Sequence, residues 1–408
     1  MSKLIRSFAL FLCCCLLTLL IACAAPSSPS STTPTVSIPV SVRYADEFRN
    51  NWCYRLLSSR LQQCYGTVFT ALREPPPSDD VITVREDNGD TNEYIGIKIL
   101  LPLELSSKEE AQELYNAVFY DNPQFFYISS MYTLEGYAKN DEPHYDQINL
   151  IYTMDCKQRQ SASAALEEAV DNALKGAPLS DDQFPLELHL HDRLAAICSY
   201  DTAASAAGYA LSPQAYTAYG ALVNGRAVCE GYSRAMQLLL KRGGIDCSLV
   251  TGRSVHSGES HMWNVVTING KNYHLDVTWD DSDERLRHNY FNVTTEQVKR
   301  SHHIDADQLG VDTCTSVTDN YFIRFGSYLD TYDRDEIAIA VARQIKDGGD
   351  RVELAFADDK FDNALLFLKN ATLTKQMVNA QLAKDEAKLW DYILRGETQE
   401  CILTLYKQ

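Results

Sequence analysis

Basic residues are scarce in this chain: 37 Lys and Arg face 55 Asp and Glu over 408 residues, a net charge of −18. Nucleic acid and anionic lipid both need a basic footprint, so this balance argues against either as a partner. Its plain meaning is solubility, with at most a weak pull on cationic substrates such as lysine-containing peptides. Beyond the first 22 residues no apolar run reaches the roughly 18 residues of a spanning helix, and no internal repeat is visible. The nine histidines include no pair at i, i+4 beside a second ligand pair, and no metal or cofactor is expected. The acidic run Asp280, Asp281, Asp283 and Glu284 lacks the glycine and closing glutamate of an EF-hand loop, and is expected to be a solvated loop.

Cysteines are present without pairing up. Beyond Cys23 stand Cys53, Cys64, Cys156, Cys198, Cys229, Cys247, Cys314 and Cys401, and setting Cys229 aside as a nucleophile leaves an odd seven. That remainder argues against a complete disulfide framework. Cys53 and Cys64 fall in one expected helix about 16 Å apart, too far to bridge. Most of these residues are read as buried reduced thiols.

At the N-terminus, Lys3 and Arg6 precede an apolar run from Phe8 to Ala22, ending at Leu20-Ile21-Ala22-Cys23. Residues 1–22 read as a secretory signal, too short to span a membrane stably. Its end resembles a bacterial lipobox, which implies that Cys23 is lipidated and becomes the mature N-terminus; cleavage after Ala25 without lipid is the plainer alternative. Losing Lys3 and Arg6 takes the charge to −20. Residues 23–40, rich in Pro, Ser and Thr, suit a flexible tether. The expected location is the extracytoplasmic face of the cell membrane, held there by the N-terminal lipid alone.

The most informative segment is Gly225-Arg226-Ala227-Val228-Cys229-Glu230-Gly231-Tyr232, followed by His261-Met262-Trp263-Asn264 and Asp276-Val277-Thr278-Trp279-Asp280. Cys229 opens a run, Ala235 to Leu240, whose apolar content suits a buried helix. Thiols at helix N-termini feel the positive end of the dipole, which favours the nucleophilic thiolate. Residues 261–268 and 271–278 read as strands joined by Asn269-Gly270, a strong two-residue hairpin signal. That turn pairs residues whose numbers sum to 539, so His261 and Asp276 become diagonal neighbours on one face. Their Cα atoms would lie roughly 7–8 Å apart, within reach of an imidazole–carboxylate hydrogen bond. A slip of one residue would send Asp276 to the opposite face.

These residues resemble the transglutaminase-like superfamily of papain-related cysteine enzymes. In that superfamily the nucleophile opens a helix as C-x-G-[YF], the base comes as H-x-W on a strand, and the acid sits in D-x-T-W. The resemblance also takes in His191-Asp192-Arg193-Leu194, Tyr200-Asp201-Thr202 and Tyr290-Phe291, and so covers roughly residues 180 to 305. It implies a catalytic triad of Cys229, His261 and Asp276. Trp263, Trp279 and Tyr232 are candidate substrate contacts, with packing an equal alternative for the tryptophans. The backbone N–H of Cys229 is the natural first oxyanion donor. For the second, family members use an upstream tryptophan or glutamine; no tryptophan lies between Trp52 and Trp263, and Tyr200, Gln214 and Tyr219 are the candidates.

The expected fold is α+β: a papain/transglutaminase-like core, with the cysteine helix packed on an antiparallel sheet carrying His and Asp, flanked by N- and C-terminal α+β domains. The mature length exceeds a single core, and the expected domains are 41–160, 161–310 and 311–408. In the first, a long helix over 43–72 precedes strands at 81–85 and 93–101, a helix opened by a Ser106–Glu109 capping box, and strands at 132–137 and 147–154; helices at 162–175 and 185–200 lead to Cys229. The last has helices at 333–345, 360–368 and 373–382, a strand at 350–357, and a hairpin (389–394, 400–406) turning at Arg395-Gly396. His302-His303 is placed on a helix edge. The expected activity is attack on the amide of a protein or peptide, including cell-wall peptide, through a thioester. Transfer to an amine acceptor and a non-catalytic binding lipoprotein are the alternatives.

Overall fold

The computed structural model describes residues 44–85, 90–140, 142–281, 286–305, 314–346, 348–384 and 386–408. The expected signal, Cys23 and the tether lie outside the described residues. Pro39–Gln408 forms one compact unit, and among the described residues no helix is long and apolar enough to cross a membrane.

The long helix expected over 43–72 breaks into three, Ala45–Phe48, Trp52–Leu56 and Ser59–Arg73. Asn51 and Leu57 adopt extended backbone, and Ser58 caps the last helix by accepting from the N–H of Leu61. A four-stranded antiparallel sheet follows, ordered Asp80–Arg85, Thr91–Leu105, Glu142–Tyr152, Ile128–Lys139. Helix Lys108–Asp121 packs on it, capped by Ser107 rather than Ser106, because Glu110 instead receives the N–H of Ser106.

The central sheet is antiparallel throughout and runs His302–Ile304, Asp246–Ser254, Ser260–Ile268, Lys271–Leu275. Asn264 faces Leu275 and Ile268 faces Lys271, the register set by a turn with positive φ at Asn269 and Gly270. His302-His303 therefore lies on an edge strand, not a helix. Against this sheet packs helix Cys229–Arg242. The architecture is thus α+β with the cysteine helix on an antiparallel sheet.

A third sheet, ordered Tyr328–Leu329, Arg351–Phe356, Ile402–Lys407, Tyr392–Glu397, carries helices Arg334–Lys346, Phe361–Lys369 and Ala371–Ala380. Its closing hairpin turns at 398–401 rather than at Arg395-Gly396, which pair within the ladder with Thr404 and Leu403. One apolar core runs unbroken from Phe48 to Phe291, so the first sheet and the cysteine helix share an interior; a second core spans Ile337 to Leu405.

Candidate active site

Cys229 is the first residue of its helix, following Val228 in extended backbone. Gly231 explains the close seating of that first turn: a Cβ there would meet the carbonyl oxygen of Ala215 at 2.5 Å and the Cβ of Ala227 at 2.7 Å. The backbone N–H of Val228 bonds to the same Ala215 carbonyl, which fixes the approach to the helix. The thiol is partly exposed, whereas Cys64, Cys198, Cys247, Cys314 and Cys401 are buried, and the described cysteines are all free thiols.

His261 lies near the start of strand Ser260–Ile268, and its Nε2 sits 2.7 Å from Oδ2 of Asp276. The Cys229 side chain is close enough to the same imidazole to favour its charged form. Burial opposes a charge on His261, but Asp276 and Cys229 outweigh it and push the imidazole up to about 10. Asp276 does not continue the strand as expected. The strand ends at Leu275, and Asp276 caps the short helix Val277–Asp280, its Oδ1 accepting from the N–H of Trp279. An aspartate cap satisfies helix N–H groups that a strand would have spent on a neighbour. Against its own burial, His261 and His302 hold this carboxyl well below the usual range.

His302, assigned no role in the sequence reading, donates to the site. Its Nε2 lies 3.0 Å from the same Oδ2 of Asp276, and the side chain is fully buried. Trp279 packs on both imidazoles, with ring centroids 4.9 Å from His261 and 4.0 Å from His302.

Trp263, for which packing is the equal alternative to substrate contact, and Tyr232, expected as a substrate contact, are interior residues with 0% and 1% exposure. Trp263 donates its indole N–H to Nδ1 of His274 at 3.0 Å, and Tyr232 bonds to Asp281. The ring of Trp263 passes over Gly252, whose Cβ would meet it at 2.7 Å. Trp279 is partly exposed and remains available to a substrate. Of the oxyanion candidates, Tyr200 is near enough to Cys229 for the thiol's charge to add to the burial that raises its hydroxyl. Tyr216, which sequence reasoning missed, stands in the same relation to Cys229. Gln214 instead bonds to Asn224, and Tyr219 stacks on Phe126. Both line a cleft of about 540 Å³ with Tyr209 and Lys157. Asn264, expected to make local hydrogen bonds, binds the carbonyls of Ser233 and Ser248.

Asp280 is not part of a solvated loop. It is fully buried, accepts from the N–H of Tyr290 and faces Nε2 of His191 at 3.3 Å. His191 and His288 both bond to Oδ1 of Asp192 at 2.9 Å. Two groups, His191–Asp192–His288 and His261–Asp276–His302, place possible metal-ligand atoms within 4.8 Å of one another. In each, both imidazoles already bond to the carboxylate between them.

Residues 182–277, about a quarter of the chain, match the family described as the transglutaminase-like superfamily. Three solved structures are similar over part of the chain. One is a TGase, 14% identical, covering 47% of this chain and 53% of that one with a TM-score of 0.28. Another is a cysteine-protease candidate from Cytophaga hutchinsonii, 11% identical over 37% of this chain and 63% of that one, TM-score 0.23. The third is a protease candidate from Parabacteroides distasonis, 11% identical over 48% of this chain and 35% of that one, TM-score 0.22. The chain thus spans less than two thirds of each. No curated protein matches. The segment from Asp182 to Val277, which holds Cys229, His261 and Asp276, is transglutaminase-like in sequence.

Proposed function

We propose that this protein is an extracytoplasmic, lipid-anchored cysteine enzyme that attacks amide bonds of proteins or peptides through a thioester. The observation that carries the reading is the placement of His261 between Cys229 and Asp276, with Nε2 committed to the carboxylate. Nδ1 is then the nitrogen left for the thiol. In this reading Cys229 attacks the substrate carbonyl as thiolate, and His261 holds the proton as imidazolium. Asp276 fixes the tautomer and stabilises that charge without taking the proton. As the tetrahedral intermediate collapses, His261 passes its proton to the leaving amine and a thioester remains on Cys229. Water then attacks with His261 as base, releasing acid and thiol; an amine entering instead completes a transamidation. The N–H of Cys229, in the first turn of its helix, has no intrahelical carbonyl and is free to bind the oxyanion.

The test is a thiol-directed activity probe on the purified full-length protein, with Cys229→Ala as control and mass spectrometry of the adduct. The reading expects one modification, on Cys229, abolished in the variant. Equal labelling of Cys156 and Cys53 in the wild type would sink it. Repeating turnover with a primary amine separates hydrolysis from acyl transfer.

A further inference from the structure

Two histidines bond to one carboxylate oxygen, and only one of them can face the thiol. Resting on the cysteine-enzyme reading above, we infer that His302 is a positioning residue that acts through Asp276, setting how strongly that carboxylate holds the proton on His261. The geometry fixes the proton on His302. Its Nε2 lies 3.0 Å from Asp276 Oδ2, and its Nδ1 lies 2.9 Å from the hydroxyl of Ser301. Were the proton on Nδ1 alone, the Nε2 lone pair would face a carboxylate oxygen in a buried site, a repulsive contact. The tautomer with Nε2–H donating to Asp276 leaves Nδ1 to accept from the Ser301 hydroxyl, which lies closer to it than to the Val298 carbonyl at 3.3 Å, an oxygen that still receives the Ser301 N–H.

Asp276 therefore receives three N–H groups: His261 and His302 on Oδ2, and the Trp279 backbone on Oδ1. An oxygen that already accepts one hydrogen bond is a weaker acceptor for a second. His302 thus keeps Asp276 ionised and aimed while tempering its pull on His261. An imidazolium held too tightly is a poor acid toward a leaving amine, so this tempering favours the proton return that releases product. The surroundings leave His302 no second arrangement. It is fully buried, with Trp279 at 4.0 Å, Trp263 at 4.7 Å and Tyr290 at 5.3 Å between ring centroids.

Other titratable groups face this cluster. Cys229 comes from the helix, and His274, with Lys299 beside it, from the last strand of the sheet. Tyr290 is bonded to Glu400 and feels Asp276. On the thiol side stand Tyr200, influenced by Glu259, and Tyr216, influenced by Glu230. None of their side chains bonds to the Asp276 carboxylate among the described contacts; the Tyr290 carbonyl accepts the Asp276 backbone N–H at 3.2 Å.

The test is the pH dependence of Cys229 alkylation by iodoacetamide, which needs no knowledge of the substrate, in the full-length wild type, His302→Leu and His302→Gln. Removing the donor strengthens the Asp276–His261 bond. The alkaline limb of the labelling curve, where His261 gives up its proton, should therefore rise by about one pH unit in His302→Leu, the scale of one hydrogen bond to a charged group. Glutamine can place an N–H where Nε2 was, and should restore the wild-type limb to within about 0.3 unit. Ser301→Ala, which frees the His302 tautomer, should move the limb the same way by a smaller amount, and stands in if the leucine variant does not fold. Fast labelling in the wild type with an unmoved or lowered alkaline limb in the folded leucine variant overturns this inference alone. A wild type whose Cys229 labels no faster than Cys156 overturns the thioester reading and this inference with it.

Discussion

Replacing Glu187 by glutamine should make the protein more stable at alkaline pH and leave it nearly unchanged at pH 5. Glu187 sits in helix Phe184–Ile197 with no exposure, its Oε2 accepting from Asn292 at 2.7 Å. Oε1 has no hydrogen-bond partner. Burial pushes this carboxyl up to about 8 from an ordinary 4.5; Asn292 and His191 oppose the rise, and Asp319 adds to it. Since the folded value lies above the unfolded one, the contribution to stability is whole below about pH 4.5 and is lost as pH rises toward 8. At about 1.4 kcal/mol per pH unit, ionisation in the unfolded chain costs the fold under ~1 kcal/mol at pH 5, ~3 at pH 7 and ~4 at pH 8. Glutamine keeps the shape and removes the titration.

Neighbouring groups also titrate, His191 among them, so the absolute stability curve is not the readout. The difference between the two proteins is, because both carry every other group. Thermal unfolding of wild type and Glu187→Gln, compared between pH 5 and pH 8.5, should show the variant gaining a few degrees relative to wild type as pH rises. Parallel curves across that range would refute a buried, neutral Glu187. A variant destabilised equally at every pH would mean that its bond to Asn292, not its proton, is what the fold uses.

Three further outcomes follow from the site and its supports. Asp276→Asn should retain the fold and lower turnover by on the order of 10⁴, as for the equivalent role in serine enzymes; wild-type rates would remove Asp276 from the mechanism. Trp263→Phe should cost about 1–3 kcal/mol in denaturant unfolding, because it strands the buried Nδ1 of His274, while Cys229 labelling persists; unchanged stability would contradict an interior role. Cys23→Ala should release the protein from membranes without altering its unfolding temperature, as seen by detergent-phase partitioning; tight membrane association of a signal-cleaved variant would rule out the lipid anchor.

The hairpin around Asn269 was legible because its turn demands positive φ at two adjacent residues, which Asn-Gly supplies at 50° and 77°. From that turn the register follows, and with it the meeting of His261 and Asp276. The end of the second strand was not legible. Val277, Thr278 and Trp279 have strand-forming side chains, yet Asp276 captures the Trp279 N–H and starts a helical turn instead. His302 was missed for a different reason: its edge strand is only three residues long, and its partner Asp276 lies 26 residues away. Nothing local marks such a contact. The long helix expected over 43–72 failed where Asn51 turns inward to bond Tyr65 and Lys241, a tertiary demand that overrides helical propensity.

The turn Val277–Asp280 does more than present Asp276. Its two acids lie four residues apart, with the N–H of Asp280 bonded to the carbonyl of Asp276, so both ends of one helical turn are occupied by buried carboxyls. A buried carboxyl must find donors or give up its charge, and each end finds them on different elements. Asp276 takes His261 and His302 from the central sheet. Asp280 takes the N–H of Tyr290 and faces His191, which Asp192 and Asp280 together push up to about 9 against its burial. Asp192 also holds His288, whose other nitrogen faces Glu353 of the third sheet at 4.0 Å while Arg351 stands 3.3 Å from that same carboxylate oxygen. His288 in turn stacks on Tyr321 with centroids 3.9 Å apart. Shifting the backbone of Asp276 away from His261 would thus also strain its bond to the Asp280 N–H, at the far end of the same turn, where Asp280 faces His191. The orientation of the carboxylate behind the base is set from two sides, and the third sheet contributes to one of them.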